Sequence, residues 1–227
     1  MMKELDYLCR VTGNPARPYV AILGGAKISG KIDVITHLLP KVDRILIGGG
    51  MVFTFYRAQG LAVGGSLVEE DKIELAGKIL SDGGAKIVLP ADCLITDLLD
   101  LKAGRIGALK TAAAAAIPEG WKGVDIGPAA VTAFRRELEG ARTVVWNGPM
   151  GVFEIDAAAK GTAAVAGMLA EITALGAVTV VGGGDSAAAV EKSGLAASVS
   201  HVSTGGGASL EFIEGKTLPG VAALTDK

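Results

Sequence analysis

Histidine and cysteine are scarce in this chain, two of each in 227 residues, and neither pair has the spacing that metal or thiol chemistry needs. Cys9 and Cys93 form no CxxC and no zinc pattern, which points to a reduced, intracellular chain where both serve as small buried hydrophobes. His37 and His201 lack a partner at ligand spacing and read as a helix-face and a strand-end histidine. Ser29 and Ser209 stand outside any G-x-S-x-G frame, which argues against a hydrolytic triad. Basic residues show no excess either. The formal net charge of −2 disfavours a nucleic-acid or anionic-membrane surface. No apolar run approaches the roughly 20 residues of a membrane span. Met1-Met-Lys-Glu-Leu-Asp6 has none of the features of a secretory leader, so the expected location is the cytoplasm.

Half the residues are apolar, only 4% are aromatic, and 33 are glycine, a mix suited to strands covered on both faces. Strands are expected near 19–23, 44–47, 86–89, 124–126, 143–146, 178–181 and 198–202. Helices are expected near 31–39, 50–59, 70–82, 128–139, 157–174, 185–192 and 207–213. This alternation predicts an α/β fold, a three-layer, doubly wound, mostly parallel Rossmann-like sheet in a single domain. Two stretches break the rhythm. Residues 91–123 are long for a crossover and predict an extra hairpin or an irregular flap. Residues 3–12 form an amphipathic helix with Leu5, Leu8, Cys9 and Thr12 on one side, joined to the rest by a Gly13–Pro18 linker.

The apolar run Tyr19–Leu23 stops at Gly24 and Gly25 and delivers Lys27 and Lys31, the pattern of a strand entering a phosphate-binding turn. Gly25–Lys31 satisfies G-x-x-x-x-G-K, yet Ile32 follows where a P-loop needs Ser or Thr for magnesium. Any metal ligand must come from elsewhere. Three glycine triplets, Gly48–Gly50, Gly182–Gly184 and Gly205–Gly207, each follow an extended run. In a parallel sheet such junctions share the carboxyl edge, where glycine permits backbone N–H groups to approach an anion. Asp185 and Ser186, opening the helix after the second triplet, offer a metal oxygen and a phosphate donor at that edge. For Thr143–Glu154, a strand breaking into a Gly-Pro loop, spacing alone leaves two readings. Either Phe153 packs on a base and Glu154 accepts from a ribose, or the loop is a solvated turn.

Five segments together resemble phosphoglycerate kinase: Gly24-Gly-Ala-Lys-Ile-Ser-Gly-Lys-Ile32, Ile47-Gly-Gly-Gly-Met-Val-Phe-Thr-Phe55, Trp146-Asn-Gly-Pro-Met-Gly-Val-Phe-Glu154, Gly182-Gly-Gly-Asp-Ser186 and Val199–Glu211. Their order and spacing match the nucleotide-binding half of that family, from the first helix to Leu224. The resemblance implies transfer of the acyl phosphate of 1,3-bisphosphoglycerate to ADP, with Mg2+ bound alongside ADP or ATP. It implies that Lys27 and Lys31 meet the phosphates, with Lys31 following the phosphoryl group, and that the Gly205–Gly206 turn brings a helix end toward it. Gly25 and Ala26 would border the nucleotide. Gly48, Gly49, Gly127 and Met150 would line the adenine pocket, with Phe153 and Glu154 at its edge and at the ribose. Asn147 would approach the phosphates, Gly148, Gly183 and Gly184 would border the nucleotide, Asp185 would hold the metal, and Ser186 would bond a phosphate oxygen.

Gly30 stands where many members have Asp, and Ser186 where many have Thr. The resemblance further implies an interdomain-type helix over 1–13, a nucleotide-binding domain over 14–227, and an absent N-terminal phosphoglycerate-binding domain. The expectation is a monomer that binds ADP or ATP, has no nucleic-acid or membrane partner, and lacks turnover alone. A natural non-catalytic nucleotide-binding module of the same fold is the alternative.

Overall fold

The computed structural model describes residues 2–218 and 222; the stretch around Leu224 that carries the end of the family resemblance lies outside them. In chain order the elements begin with helix α1 (Met2–Thr12), strand β1 (Tyr19–Leu23), α2 (Ile32–Leu38), β2 (Arg44–Ile47), α3 (Val52–Ala58), α4 (Ile73–Gly83) and β3 (Ile87–Val88). An inserted region follows: β4 (Asp92–Thr96), β5 (Leu99–Asp100), β6 (Arg105–Ile106), β7 (Leu109–Ala113) and β8 (Lys122–Ile126). The chain closes with α5 (Pro128–Leu138), β9 (Thr143–Asn147), α6 (Lys160–Ala174), β10 (Val178–Gly182), α7 (Gly184–Lys192), β11 (His201–Val202) and α8 (Gly207–Ile213).

The main sheet has six strands in the order β11-β10-β9-β1-β2-β3, every neighbouring pair parallel. β1 shows why both of its faces are covered. All five of its residues are buried, with Tyr19, Ala21 and Leu23 in one core and Val20 and Ile22 in the other, as the two-residue period of a strand requires. The first core also takes Leu8 of α1, Val34, Ile35 and Leu38 of α2 and Phe55 and Tyr56 of α3. The second takes Phe134 and Leu138 of α5, Val165 and Leu169 of α6 and Val190 of α7. Three layers result.

The strand order places the first half of the chain on one side of β1 and the last half on the other. The reversal falls between β1 and β9, so the loops leaving these two strands diverge around a crevice at the carboxyl edge. That is where open parallel sheets take ligands.

Several expectations change. The run 124–126 is no member of the parallel sheet: β8 pairs antiparallel with β4, and β7-β4-β8 form a separate three-stranded sheet. Pro90, which has no N–H to continue a ladder, stands between β3 and this insertion. The flap expected within 91–123 is this sheet together with the β5–β6 hairpin, which is pinned by an Asp100–Arg105 ion pair. The strand expected at 198–202 shrinks to His201–Val202, because Ala196–Ser198 form a 3-10 turn. Cys9 is exposed on α1 while Cys93 is buried, so only one cysteine behaves as a core hydrophobe. The buried positions of α1 are Leu8 and Val11.

Two aspartates replace the helix caps that the local sequence does not supply. Asp92 accepts the Ala130 N–H at 2.8 Å and the Ala129 N–H at 3.1 Å, closing the first turn of α5 from the neighbouring sheet. Asp125 accepts the Gly161 N–H of α6 at 2.6 Å and its own neighbour Ile126 N–H at 2.9 Å.

Candidate functional site

Three loops meet at the crevice through their backbones. Gly24 N–H donates to the Asn147 carbonyl at 2.9 Å, Gly25 N–H to Pro149 at 3.0 Å, and Gly49 N–H to Met150 at 3.0 Å. A β-carbon on Gly24 would lie 2.2 Å from the Pro149 carbonyl oxygen, and one on Gly148 2.2 Å from that of Gly24. Glycine is therefore needed here for close loop packing. The expectation that these N–H groups face an anion is corrected at Gly24, Gly25, Gly48 and Gly49, whose N–H groups are spent on neighbouring carbonyls.

On one side of this knot is a cavity of about 270 Å³. Gly24–Lys27, Lys31, Asn147, Gly148, Gly183–Ser186, Gly206, Gly207 and Leu210 line it. α7 begins on its wall, with Gly183 at φ 92° leading into the helix. The first N–H groups of a helix have no acceptor within it, so α7 presents Gly184, Asp185 and Ser186 as a positive end. Lys31 reaches across to donate its ammonium to Asn147 Oδ1, and Asn147 Nδ2 donates to the Gly182 carbonyl at 2.8 Å. Burial pulls the Lys31 ammonium below the ordinary lysine range, and the carboxylates of Asp185 and Glu214 partly restore it. Ser186 is fully buried, and its hydroxyl accepts the Gly148 N–H at 2.5 Å, so it stands in the cavity wall and not free at the edge. Asp185 and Lys27 are exposed.

On the other side of the knot is a cleft of about 220 Å³ with mostly apolar walls. Of the residues singled out in the sequence, Gly25, Ala26, Gly49, Met150, Phe153, Glu154 and Asp185 border it. Lining residues that the sequence did not single out include Val52 and Phe53 of α3, Leu67, Cys93, Leu99 and Leu101 of the hairpin, and Gly123–Ile126 of β8. Gly25, Ala26 and Asp185 border both cavities and join them into one surface.

Three expected residues lie outside both walls. Gly48 sits behind Met150, where a β-carbon would come within 2.5 Å of the sulfur. Gly127 is the N-cap of α5, its N–H bonded to Asp92, and a β-carbon there would strike the Asp92 carboxylate. On the preceding strand β8, Gly123 borders the cleft, and its missing side chain makes room for the Phe53 ring. Gly205 precedes the cavity, packed against the Ser209 hydroxyl.

The turn before α8 is tied to α1. Glu4 accepts from His201 Nε2 at 2.8 Å and from the hydroxyls of Ser203 and Ser209, while His201 stacks on Tyr7 at 4.9 Å. Burial alone would raise the Glu4 carboxyl, but its hydrogen bonds to Ser203 and His201 bring it below the ordinary value.

Among the described residues no group of three or more His, Cys, Asp or Glu side chains converges on a metal position. A single carboxylate beside a phosphate-sized cavity suits Mg2+, which is commonly held by one or two carboxylates, substrate phosphates and water. Among the described residues no helix is long and apolar enough to cross a membrane.

Known proteins share this sequence and this fold. The family model described as phosphoglycerate kinase matches residues 1–216. Phosphoglycerate kinase of Chloroherpeton thalassium is 58% identical over 227 residues, covering 99% of this chain and 56% of the relative. The cytosolic phosphoglycerate kinase of Triticum aestivum is 55% identical over 229 residues, covering all of this chain and 56% of the relative. The solved phosphoglycerate kinase from Coxiella burnetii superposes with a TM-score of 0.90 at 38% identity, covering 97% of this chain and 56% of that one. The chain thus spans about half the length of the relatives it matches.

Proposed function

This chain belongs to the phosphoglycerate kinase family, a family of phosphotransferases, and we propose that it is the half that binds Mg-ADP or Mg-ATP. The observation that carries the reading is the pairing of an apolar cleft with a glycine-lined, lysine-bearing cavity across a border at Gly25, Ala26 and Asp185. A nucleoside has the polarity of the first and an oligophosphate that of the second.

In this reading Met150, Phe153 and Gly123 enclose the base, and Glu154 accepts from the ribose. Lys27 and Lys31 neutralise phosphate oxygens, with Asn147 holding the Lys31 ammonium at the cavity wall before ligand arrives. The open end of α7 adds N–H donors, and the Ser186 hydroxyl proton is directed to a phosphate oxygen. Mg2+, held through Asp185, supplies charge neutralisation when bound. Phosphoryl transfer asks mainly for positioning and for neutralisation of spread negative charge, and these groups provide both.

The reaction proposed is the family's, 1,3-bisphosphoglycerate plus ADP giving 3-phosphoglycerate plus ATP. The phosphoglycerate end is assigned to the length of the relatives that this chain does not span. The 227 residues alone are proposed to be a cytoplasmic monomer that binds nucleotide without turnover, with residues 1–13 serving as the interdomain-type helix. Calorimetry with Mg-ADP and a coupled kinase assay test this. Absence of nucleotide binding overturns the site, and robust turnover overturns the inactivity.

A further inference from the structure

We infer that Glu69 is a positioning residue for the phosphate-facing lysines, acting through the backbone of the loop that carries them; the inference rests on the nucleotide reading above. The loop from Ala26 to Gly30 has few holds. Ile28 is buried and its carbonyl accepts the Lys31 N–H at 2.8 Å, whereas Ala26, Lys27, Ser29 and Gly30 are exposed. Among the described residues nothing lies within 4 Å of where a Gly30 β-carbon would stand, so they give that side of the loop no packing support.

The Glu69 carboxylate supplies a further tie: its Oε2 accepts the Ser29 N–H at 3.1 Å, midway between Lys27 and Lys31. Glu69 is fixed from behind, because its own N–H donates to Oγ1 of Thr54, a residue of α3 only 1% exposed, at 3.1 Å. Truncating the side chain leaves that backbone anchor intact. It also leaves Leu67, two residues earlier, at the apolar cleft. The loss should therefore fall on the lysine loop and spare the nucleoside end. A backbone N–H bound to a carboxylate is stronger than one bound to a neutral acceptor, but the position is exposed, which keeps the effect moderate.

The test is calorimetric titration of the 227-residue chain and of Glu69→Ala and Glu69→Gln with Mg-ADP and with adenosine, plus amide exchange at Ser29. Glu69→Ala is expected to weaken Mg-ADP about three- to tenfold, to leave adenosine within about twofold, and to speed Ser29 exchange. Glu69→Gln, whose amide oxygen still accepts the N–H, is expected to restore both. Mg-ADP affinity unchanged in Glu69→Ala, adenosine weakened equally, or failure of Glu69→Gln to rescue each overturns the role of Glu69. An unsubstituted chain that fails to bind Mg-ADP instead overturns the nucleotide reading, and this inference with it.

Discussion

Lys31 and Asn147, 116 residues apart, are hydrogen-bonded across the crevice between the loops that leave the two central strands. The pair holds a partly buried ammonium at the wall of a cavity that has no other lysine so enclosed, Lys27 being exposed. Its partner is a neutral amide, so the positive charge remains available to an anion.

Lys31→Met is expected to weaken Mg-ADP by roughly 1–3 kcal/mol while leaving the fold equally stable or slightly more so. The sign follows from burial, which lowers the ammonium below its ordinary 10.5, so that the charged form costs stability at neutral pH. In the unsubstituted chain that cost is relieved as pH rises through the lowered value toward 10.5, and the variant lacks this alkaline gain. Paired urea unfolding and calorimetry measure both effects.

Asp125 gives the opposite pH signature in another window. Burial raises its carboxyl from 3.8 to about 7, against the pull of the Gly161 and Ile126 N–H groups. Its contribution to stability is complete below 3.8 and is lost as pH climbs to about 7, a slope of at most a few kcal/mol. Asp125→Asn, with one acceptor oxygen for two N–H groups, is expected to be less stable than the parent at acid pH, with the gap narrowing toward neutrality. Denaturant midpoints taken across that range check it; a constant gap contradicts it.

Tyr19 is wholly buried at the start of the first strand, and among the described residues its hydroxyl finds no hydrogen-bond partner. An unsatisfied buried hydroxyl costs free energy, so Tyr19→Phe is expected to raise stability by about 1 kcal/mol. Loss of stability would mean that the hydroxyl is satisfied in solution.

Two glycines make a matched contrast. Gly24→Ala drives a methyl onto the Pro149 carbonyl and is expected to cost about 3 kcal/mol or more. Gly30 has open space and no positive φ, so Gly30→Ala is expected to be neutral or to stabilise by up to about 1 kcal/mol. Thermal unfolding of both variants separates packing glycines from dispensable ones.

The central strands were legible because their apolar residues are consecutive and bounded by glycine, and β1 and β2 fall on the expected residues. The convergence of the residues that line the lysine-bearing cavity was legible for the same reason, since strand ends in a parallel sheet share one edge. The purpose of the glycines was less so. Close backbone approach and anion binding call for the same residue, and only the observed partners of Gly24, Gly25 and Gly49 distinguish them. The β5–β6 hairpin, with two-residue strands, is too short to show a period, which hid Leu99 and Leu101. Asp92 and Asp125 cap helices whose first turns lie 36 to 38 residues away, a relation no local motif records. The resemblance implied Gly127 on the adenine pocket, whereas in the structure Gly127 caps α5 and Gly123, on the strand just before it, borders the cleft.

In the proposed reading the shared border of the two cavities makes the surface bivalent. A nucleoside and an oligophosphate would each find a separate weak site, and the covalent bond between them in a nucleotide would convert the second binding event into an intramolecular one. Affinity for the whole then depends on the effective concentration set by the ribose–phosphate linkage as well as on either half. Gly25, Ala26 and Asp185 fix the distance over which that linkage must reach. A small displacement of this border would erode nucleotide affinity while leaving the affinities for the two fragments nearly untouched.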